Sequence, residues 1–178
     1  MRFRNLLIAA VLGIVAAIST VALATIVTTT NPAAGPNGTH YKSGSPTASC
    51  TVSSNGSVSC NQYTLGGVGN INATETLTAT YTATVVCRNG GGNLSDSQHQ
   101  GSFSNTTGPT PLHSDKNGFL TVLSTSVSAP TESQFLAQQT CPNPNWTPAV
   151  SGGIRLQSFT YTLDFAGFTG HYITITGP

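Results

Sequence analysis

The side chains able to do chemistry in this 178-residue chain are few: four cysteines, four histidines and five acidic residues. A serine hydrolase would need a nucleophile elbow of the Gly-x-Ser-x-Gly type, which the sequence lacks. Five acidic residues also disfavour the pair of convergent carboxylates that a glycosidase uses. The histidines, none of which has a spacing such as His-x-x-x-His, are His40, His99, His113 and His171. We therefore predict a protein that is not an enzyme and that has no metal site and no cofactor.

The cysteines, Cys50, Cys60, Cys87 and Cys141, predict two disulfides. Four cysteines allow three connectivities. A three-residue loop at Ser54-Asn55-Gly56, with Gly56 in the left-handed conformation of a bulged hairpin, sets Cys50 directly opposite Cys60. A two-residue Asn-Gly loop would instead turn the two cysteines to opposite faces. We favour the first register, which leaves Cys87 and Cys141 to close a long loop and leaves no free thiol for catalysis.

The single tryptophan, Trp146, has two interpretations. In the first, it packs over the predicted Cys87–Cys141 disulfide, because a lone aromatic residue rarely defines a binding surface. In the second, it is a platform for a sugar ring, with Asn143 and Asn145 as polar neighbours. The second interpretation would make the protein a carbohydrate-binding module.

The N-terminal residues predict an export signal. Arg2 and Arg4 precede an uncharged stretch from Leu6 to Ala22, and Ala22-Leu23-Ala24 is an Ala-x-Ala cleavage site. We assign residues 1–24 to a signal peptide, so the protein is expected to be secreted, as an extracellular or cell-surface protein. The stretch from Leu6 to Val27 is also long enough to span a bilayer, and an uncleaved anchor is the alternative.

Charge after the leader is close to neutral. Four basic residues remain against five acidic ones: Lys42, Arg88, Lys116 and Arg155, and Glu75, Asp96, Asp115, Glu132 and Asp164. A phosphate backbone would require a basic surface, so we predict no nucleic-acid partner. No later stretch is apolar enough to cross a membrane, and about 150 residues suit one domain.

The clearest strand signal is the alternation of apolar and threonine residues from Glu75 to Arg88, which places Cys87 on the core face. Between Ile154 and Phe165 the apolar residues change phase, which predicts a β-bulge near Gln157-Ser158.

Weaker signals complete the prediction of an all-β protein. Two more strands are expected at Gly118–Val127 and His171–Thr176, and a capping box at Thr131 opens a short helix. Seven or so strands then form a single antiparallel β-sandwich over residues 45–178, with two disulfides and one short helix. Residues 25–44 are predicted to be an N-terminal strand and a flexible linker. The remaining loops are expected at 88–93, 105–111 and 141–145.

Three segments between Thr78 and Thr147, TYTATVVCRNGGGN, KNGFL and CPNPNWT, resemble a group of uncharacterised secreted bacterial β-sandwich proteins with immunoglobulin-like architecture. The resemblance implies that architecture and brings no activity with it. True immunoglobulin domains have their core tryptophan between the two cysteines. Trp146 instead follows Cys141, so the likeness applies to the architecture alone.

These features together suggest a secreted, non-catalytic structural or surface-interaction protein. The β-branched segment Thr25–Thr30 is able to add to an open sheet edge of the next subunit, which would build a filament or coat. The alternative is that this segment pairs within its own sheet or frays. The expected partners are thus a second copy of the chain or an extracellular glycan.

Overall fold

The computed structural model describes residues 25–178, apart from the side chains of residues 95–97. The predicted signal peptide, residues 1–24, lies outside the described residues. Within residues 25–178, no helix is both long enough and apolar enough to cross a membrane.

The described chain forms eleven strands, one turn of 3-10 helix and one short α-helix. The strands are β1 (Val27–Thr30), β2 (His40–Tyr41), β3 (Cys50–Val52), β4 (Val58–Cys60), β5 (Tyr63–Gly66), β6 (Ala73–Arg88), β7 (Leu94–Leu112), β8 (Leu120–Val122), β9 (Thr125–Val127), β10 (Thr147–Phe165) and β11 (Ile173–Gly177). The 3-10 turn covers Pro32–Ala34, and the helix α1 covers Glu132–Leu136.

All strand pairs are antiparallel, and they make three sheets. The largest sheet has five strands in the order β1-β11-β10-β6-β7, and the two smaller sheets have the orders β2-β5-β8 and β3-β4-β9. One apolar cluster takes residues from all three sheets, including Cys60, Leu65 and Tyr161. The prediction of an all-β, antiparallel protein with two disulfides is confirmed.

Strand β6 follows its sequence pattern as far as Val85. Residues from Ala73 to Val85 alternate between buried and half-buried, and Leu77, Ala79 and Tyr81 lie in the core. Val86 departs from the alternation, because it is buried between two buried neighbours. The Tyr81 hydroxyl donates to the Gly56 carbonyl at 3.1 Å, which joins β6 to the β3–β4 turn. The apolar residues alternate with threonine because successive side chains point to opposite faces of the sheet, and only one face covers the core.

The β3–β4 hairpin has the predicted register. Cys50 lies opposite Cys60, and Gly56 has a φ of +83° in the turn. The disulfides join Cys50 to Cys60 and Cys87 to Cys141, so the predicted connectivity is confirmed.

Strand β10 contains two irregularities, of which one was predicted. Leu156 pairs with Tyr81 and Ser158 with Thr80, so Gln157 is an extra residue, as the phase change indicates. The second irregularity was not predicted: Ser151 pairs with Thr84 and Arg155 with Thr82, which gives β10 two extra residues there. Gly152 and Gly153 lie in this bulge with φ angles of +80° and +84°, which only glycine adopts readily.

The largest error of the sequence prediction concerns β7. Residues 105–111 were predicted to be a loop, but they belong to a 19-residue strand that pairs with β6. The prediction failed because β7 is an edge strand whose serine, asparagine, threonine and proline residues give no apolar alternation. The strand expected at Gly118–Val127 is also divided, into β8 and β9, which belong to different sheets.

The helix α1 begins as the capping box predicts. Thr131 is the N-cap, and its side chain and that of Gln134 bond reciprocally to the backbone. Phe135 is fully buried and packs with Ala83 and Val85 in a second, smaller core under the far half of β6.

The N-terminal segment lies against the sheet. Strand β1 pairs with β11, with Val27 opposite Thr176 and Thr30 opposite Ile173. Part of the predicted linker, residues 34–36, is buried. A Cβ atom on Gly35 would lie 2.6 Å from the Tyr172 ring, so this contact requires glycine.

We expect the two disulfides to differ in their effect on stability. In the chain-entropy model, a bridge stabilises by restricting the unfolded chain, by about 4 kcal/mol for Cys87–Cys141, with a separation of 54 residues, and about 3 kcal/mol for Cys50–Cys60, with a separation of 10. Urea unfolding of the two double-alanine variants measures both losses. A larger loss for the Cys50–Cys60 pair would contradict the entropic explanation.

Candidate functional site

The outer face of the five-stranded sheet is made almost entirely of threonine and serine. Because the odd-numbered residues of β6 face the core, its even-numbered residues face outward. We call this surface the hydroxyl face, and define it by Thr74, Thr76, Thr78, Thr80, Thr82 and Thr84 of β6, Ser102, Ser104 and Thr106 of β7, Ser151, Ser158, Thr160 and Thr162 of β10, Thr174 and Thr176 of β11 and Thr29 of β1.

The hydroxyl side chains align in rows that cross the sheet. One row runs Thr29, Thr174, Thr162 and Thr76, and the next runs Thr176, Thr160, Thr78 and Thr106. Strand geometry spaces neighbouring members of a row by about 4.8 Å and successive rows by about 6.7 Å. The register therefore arranges the hydroxyl groups as a two-dimensional lattice.

Several of these hydroxyl groups are held by hydrogen bonds within the face. Thr78 Oγ1 lies 3.0 Å from Thr106 Oγ1, and Thr80 Oγ1 lies 3.2 Å from Ser104 Oγ. A hydroxyl group has one donor hydrogen and two acceptor lone pairs, so each pair keeps hydrogen-bonding capacity for a partner. The orientation of these side chains is thus fixed before any partner arrives.

Charge on the hydroxyl face lies toward its ends. At one end, His171 Nδ1 lies 2.5 Å from Asp164 Oδ1, and Thr162 Oγ1 donates to Asp164 Oδ2 at 3.4 Å. Arg155 lies beside Thr82, toward the far half of β6. The rows between Asp164 and Arg155 contain no charged side chain.

On the core side, the same sheet buries one acidic residue, Glu75, with only 5% of its surface exposed. Its Oε1 atom has no hydrogen-bond partner, and its carboxyl group interacts with the Tyr161 hydroxyl. Tyr161 in turn shares a 2.7 Å hydrogen bond with Tyr63 of the β2-β5-β8 sheet. Burial raises the pKa of the Glu75 carboxyl, and the Tyr161 hydroxyl opposes that rise. Burial likewise raises the pKa of both tyrosines.

The three residues of the predicted sugar site lie in one loop before β10. Trp146 is half-buried, and Asn143 and Asn145 are exposed. The Asn143 side chain accepts from the Asn145 amide at 2.9 Å, and the Asn143 carbonyl accepts from the Trp146 amide at 3.0 Å. Asn143 therefore shapes a turn, and both interpretations of Trp146 stay predictions.

The other sequence-predicted residues do not form a cluster. His113 contacts Asn72, and His40 contacts the Gly38 carbonyl. In the part of the chain that the structure describes, no group of three or more cysteine, histidine or acidic residues is placed to hold a metal ion.

Sequence reasoning identified the threonine alternation of β6 but not the rest of the hydroxyl face. A signal for β11 was present, because Thr174 and Thr176 alternate with Ile173 and Ile175. The burial of Glu75 was also missed, although Glu75 is in phase with the core residue Leu77.

Comparisons with known protein families, curated proteins and solved structures found no significant match to this chain. The resemblance carried by the three sequence segments remains an interpretation of the sequence.

The buried carboxyl group predicts a pH dependence of stability. Because the folded-state pKa of Glu75 is raised, its contribution is fully present below the unfolded-state pKa and is lost as the pH rises through the folded-state pKa. We expect Glu75→Gln to raise the free energy of unfolding at pH 7 by on the order of 1 kcal/mol. This gain should shrink as the pH falls toward about 4.

Urea unfolding between these pH values measures the effect, with Glu132→Gln as the control because Glu132 is exposed at the start of α1. A wild-type protein more stable than Glu75→Gln at pH 7 would show that the buried carboxylate is favourably paired, contrary to this account.

Proposed function

We propose that this protein is a secreted, non-catalytic surface-interaction protein that binds extracellular polysaccharide through its hydroxyl face. The observation that supports the proposal is the in-register array of threonine and serine, in which two rows each cross four of the five strands. Its partner is expected to carry hydroxyl groups of its own, because the centre of the face offers donors and acceptors but no charge. A polysaccharide has this chemistry along its whole length.

Preorganisation favours such binding. Each side chain that binding immobilises costs about 0.5–1.5 kcal/mol in conformational entropy. Short threonine and serine side chains, already bonded in pairs such as Thr78 with Thr106, have little of this freedom left to lose. Hydrogen bonds that are weak individually then add to a higher overall affinity, because a repeating polymer engages many of them at once.

The two disulfides are consistent with an extracellular protein, because such bridges persist where the environment is oxidising. Secretion itself is part of the proposal, as is the non-catalytic role.

We also propose that the three sheets form one β-sandwich of immunoglobulin-like architecture. The two small sheets would make the second layer, since Leu65 and Leu120 of one and Val58 and Cys60 of the other join the same core as Tyr161 of the large sheet. Packing of two layers around one core is the definition of a sandwich.

The Trp146 loop is the alternative carbohydrate site. A half-buried tryptophan beside two exposed asparagines has suitable residue types. It is less favoured than the hydroxyl face because the Asn143 side chain already accepts a hydrogen bond within its own turn. Only the Asn145 side chain is then not used to shape the turn.

Self-assembly is the second alternative. Strand β1 is exposed along its whole length and contains no charge, proline or bulge, which are the usual protections of a sheet edge. Its pairing with β11 of the same chain favours the interpretation that the segment completes its own sheet.

The proposal is tested by a charge placed at the centre of the hydroxyl face. We expect the protein, expressed from the full chain, to be retained by insoluble or gel-embedded polysaccharides. Thr160→Glu should weaken retention about tenfold or more, because the glutamate disrupts the rows and its own hydration must be given up. The matched control is Thr121→Glu, since Thr121 is exposed on β8 of a different sheet.

The outcomes separate the hydroxyl face from the Trp146 loop. Loss of retention in Trp146→Ala, with retention of Thr160→Glu equal to that of the wild type, would assign the binding site to the loop. Equal retention of all variants, or retention of none including the wild type, would contradict the proposed function.

Size-exclusion chromatography with light scattering tests assembly. Because β1 is paired within its own sheet, we expect a monomer. An oligomer that disappears on deletion of Thr25–Thr30 would instead support strand addition between copies.

A further inference from the structure

A pocket lies on the hydroxyl face beside the double-glycine bulge of β10. The cavity has a volume of about 220 Å³, and its polar lining comes from Thr82, Thr84, Gln100, Ser151 and Arg155 together with the Gly152–Gly153 backbone. Three strands, β6, β7 and β10, thus contribute to it.

The pocket exists because of the bulge. The two extra residues of β10 lie opposite Ala83, and both glycines have positive φ angles. A Cβ atom built on either glycine has no heavy atom within 4 Å, so the bulge borders open space. Any other residue there would strain the backbone, so the opening depends on glycine at both positions.

The lining is rich in unused donors. Thr84 Oγ1 donates to Gln100 Oε1 at 3.4 Å, which leaves the Gln100 amide hydrogens to donate elsewhere. Arg155 adds a cationic guanidinium group with five donors and no acceptor. Among the carboxylates whose side chains the structure describes, none lies within 4.0 Å of that guanidinium. A cation with neighbouring neutral donors is complementary to an anion, and a planar carboxylate fits the guanidinium fork with two parallel hydrogen bonds.

The remaining groups favour a sugar as the carrier of that carboxylate. Thr82 Oγ1 donates to the Gly101 carbonyl and, like Ser151, keeps acceptor lone pairs for a ligand hydroxyl. Ala83 is the one apolar side chain of the lining, so the pocket offers little surface for the apolar residues of a peptide. The volume is below the roughly 300–1,000 Å³ of clefts for drug-sized ligands, which suits one monosaccharide unit.

We propose that this pocket binds the carboxylate of a uronic-acid unit, so that the polysaccharide recognised by the hydroxyl face is an acidic one. The inference rests on the proposed function and adds the class of sugar. Arg155 binds the carboxylate, while Gln100 and the hydroxyl groups of Thr82, Thr84 and Ser151 bind the rest of the sugar ring.

The test compares two forms of one polymer, polygalacturonate and its methyl ester, by affinity gel electrophoresis. The ester keeps the sugar hydroxyls and removes the charge. We expect the wild type to bind the acid at least about tenfold more tightly than the ester. Arg155→Gln should lose this preference, and Arg155→Lys should keep part of it, because lysine has the charge without the planar fork.

The control is Arg88→Gln, which removes the same charge from an exposed arginine nearer the tip of the β6–β7 hairpin. We expect this variant to keep the preference for the acid. Equal loss in both glutamine variants would show a general charge attraction and overturn the pocket.

The remaining outcomes distinguish the inference from the proposed function. Equal binding of acid and ester by the wild type would overturn the inference and leave the hydroxyl face as a polysaccharide-binding surface. No binding to either form or to neutral polysaccharides would overturn the proposed function. Displacement of the acid by a tripeptide with a free carboxylate as efficiently as by galacturonate would overturn the assignment to a sugar.

Discussion

Strands β6 and β10 pair almost from end to end, from Ala73 opposite Phe165 to Arg88 opposite Thr147. Both faces of the large sheet depend on this pairing. Its core side carries Leu77, Tyr161 and their neighbours, against which the two small sheets and α1 pack. Its outer side carries the threonine rows. Because side chains alternate between faces, a shift of the register by one residue would exchange these two surfaces.

The two faces use polar groups differently. On the outer face, hydroxyl groups bond to one another, and all of the residues that define the face except the buried Thr162 are half-buried or exposed, so these groups remain partly available to a partner. On the core side, Tyr63 and Tyr161 form a polar link between a small sheet and the large sheet, and Glu75 lies beside it. A buried acid opposes folding at neutral pH, whereas a hydrogen bond between two buried hydroxyl groups satisfies both. The tyrosine pair is therefore the stabilising part of the link, and Glu75 makes it sensitive to pH.

The sequence predicts those features whose determinants are local. The Cys50–Cys60 register follows from one turn, the start of α1 follows from Thr131 and Gln134, and β6 follows from its own alternation. Strand β7 was not predictable in this way, because its conformation depends on pairing with β6 rather than on its composition. The hydroxyl face depends in the same way on long-range register. Only the pairing of five separate segments brings Thr29, Thr160 and Thr106 onto one surface.

A comparison of the two bulges of β10 explains why the sequence did not predict the pocket. At Gln157 one extra residue reverses the alternation, so the core residues change from Ile154 and Leu156 to Phe159 and Tyr161. That change of phase can be read directly from the apolar pattern. At Gly152–Gly153 two extra residues leave the alternation of core-facing and outward-facing residues unchanged, because the side-chain period of a strand is two. Such a bulge leaves the core face unaltered and opens a gap on the outer face alone. A pocket can thus be formed on a sheet without a change in the core. The pattern of apolar residues reflects the core alone, so it does not predict such a pocket.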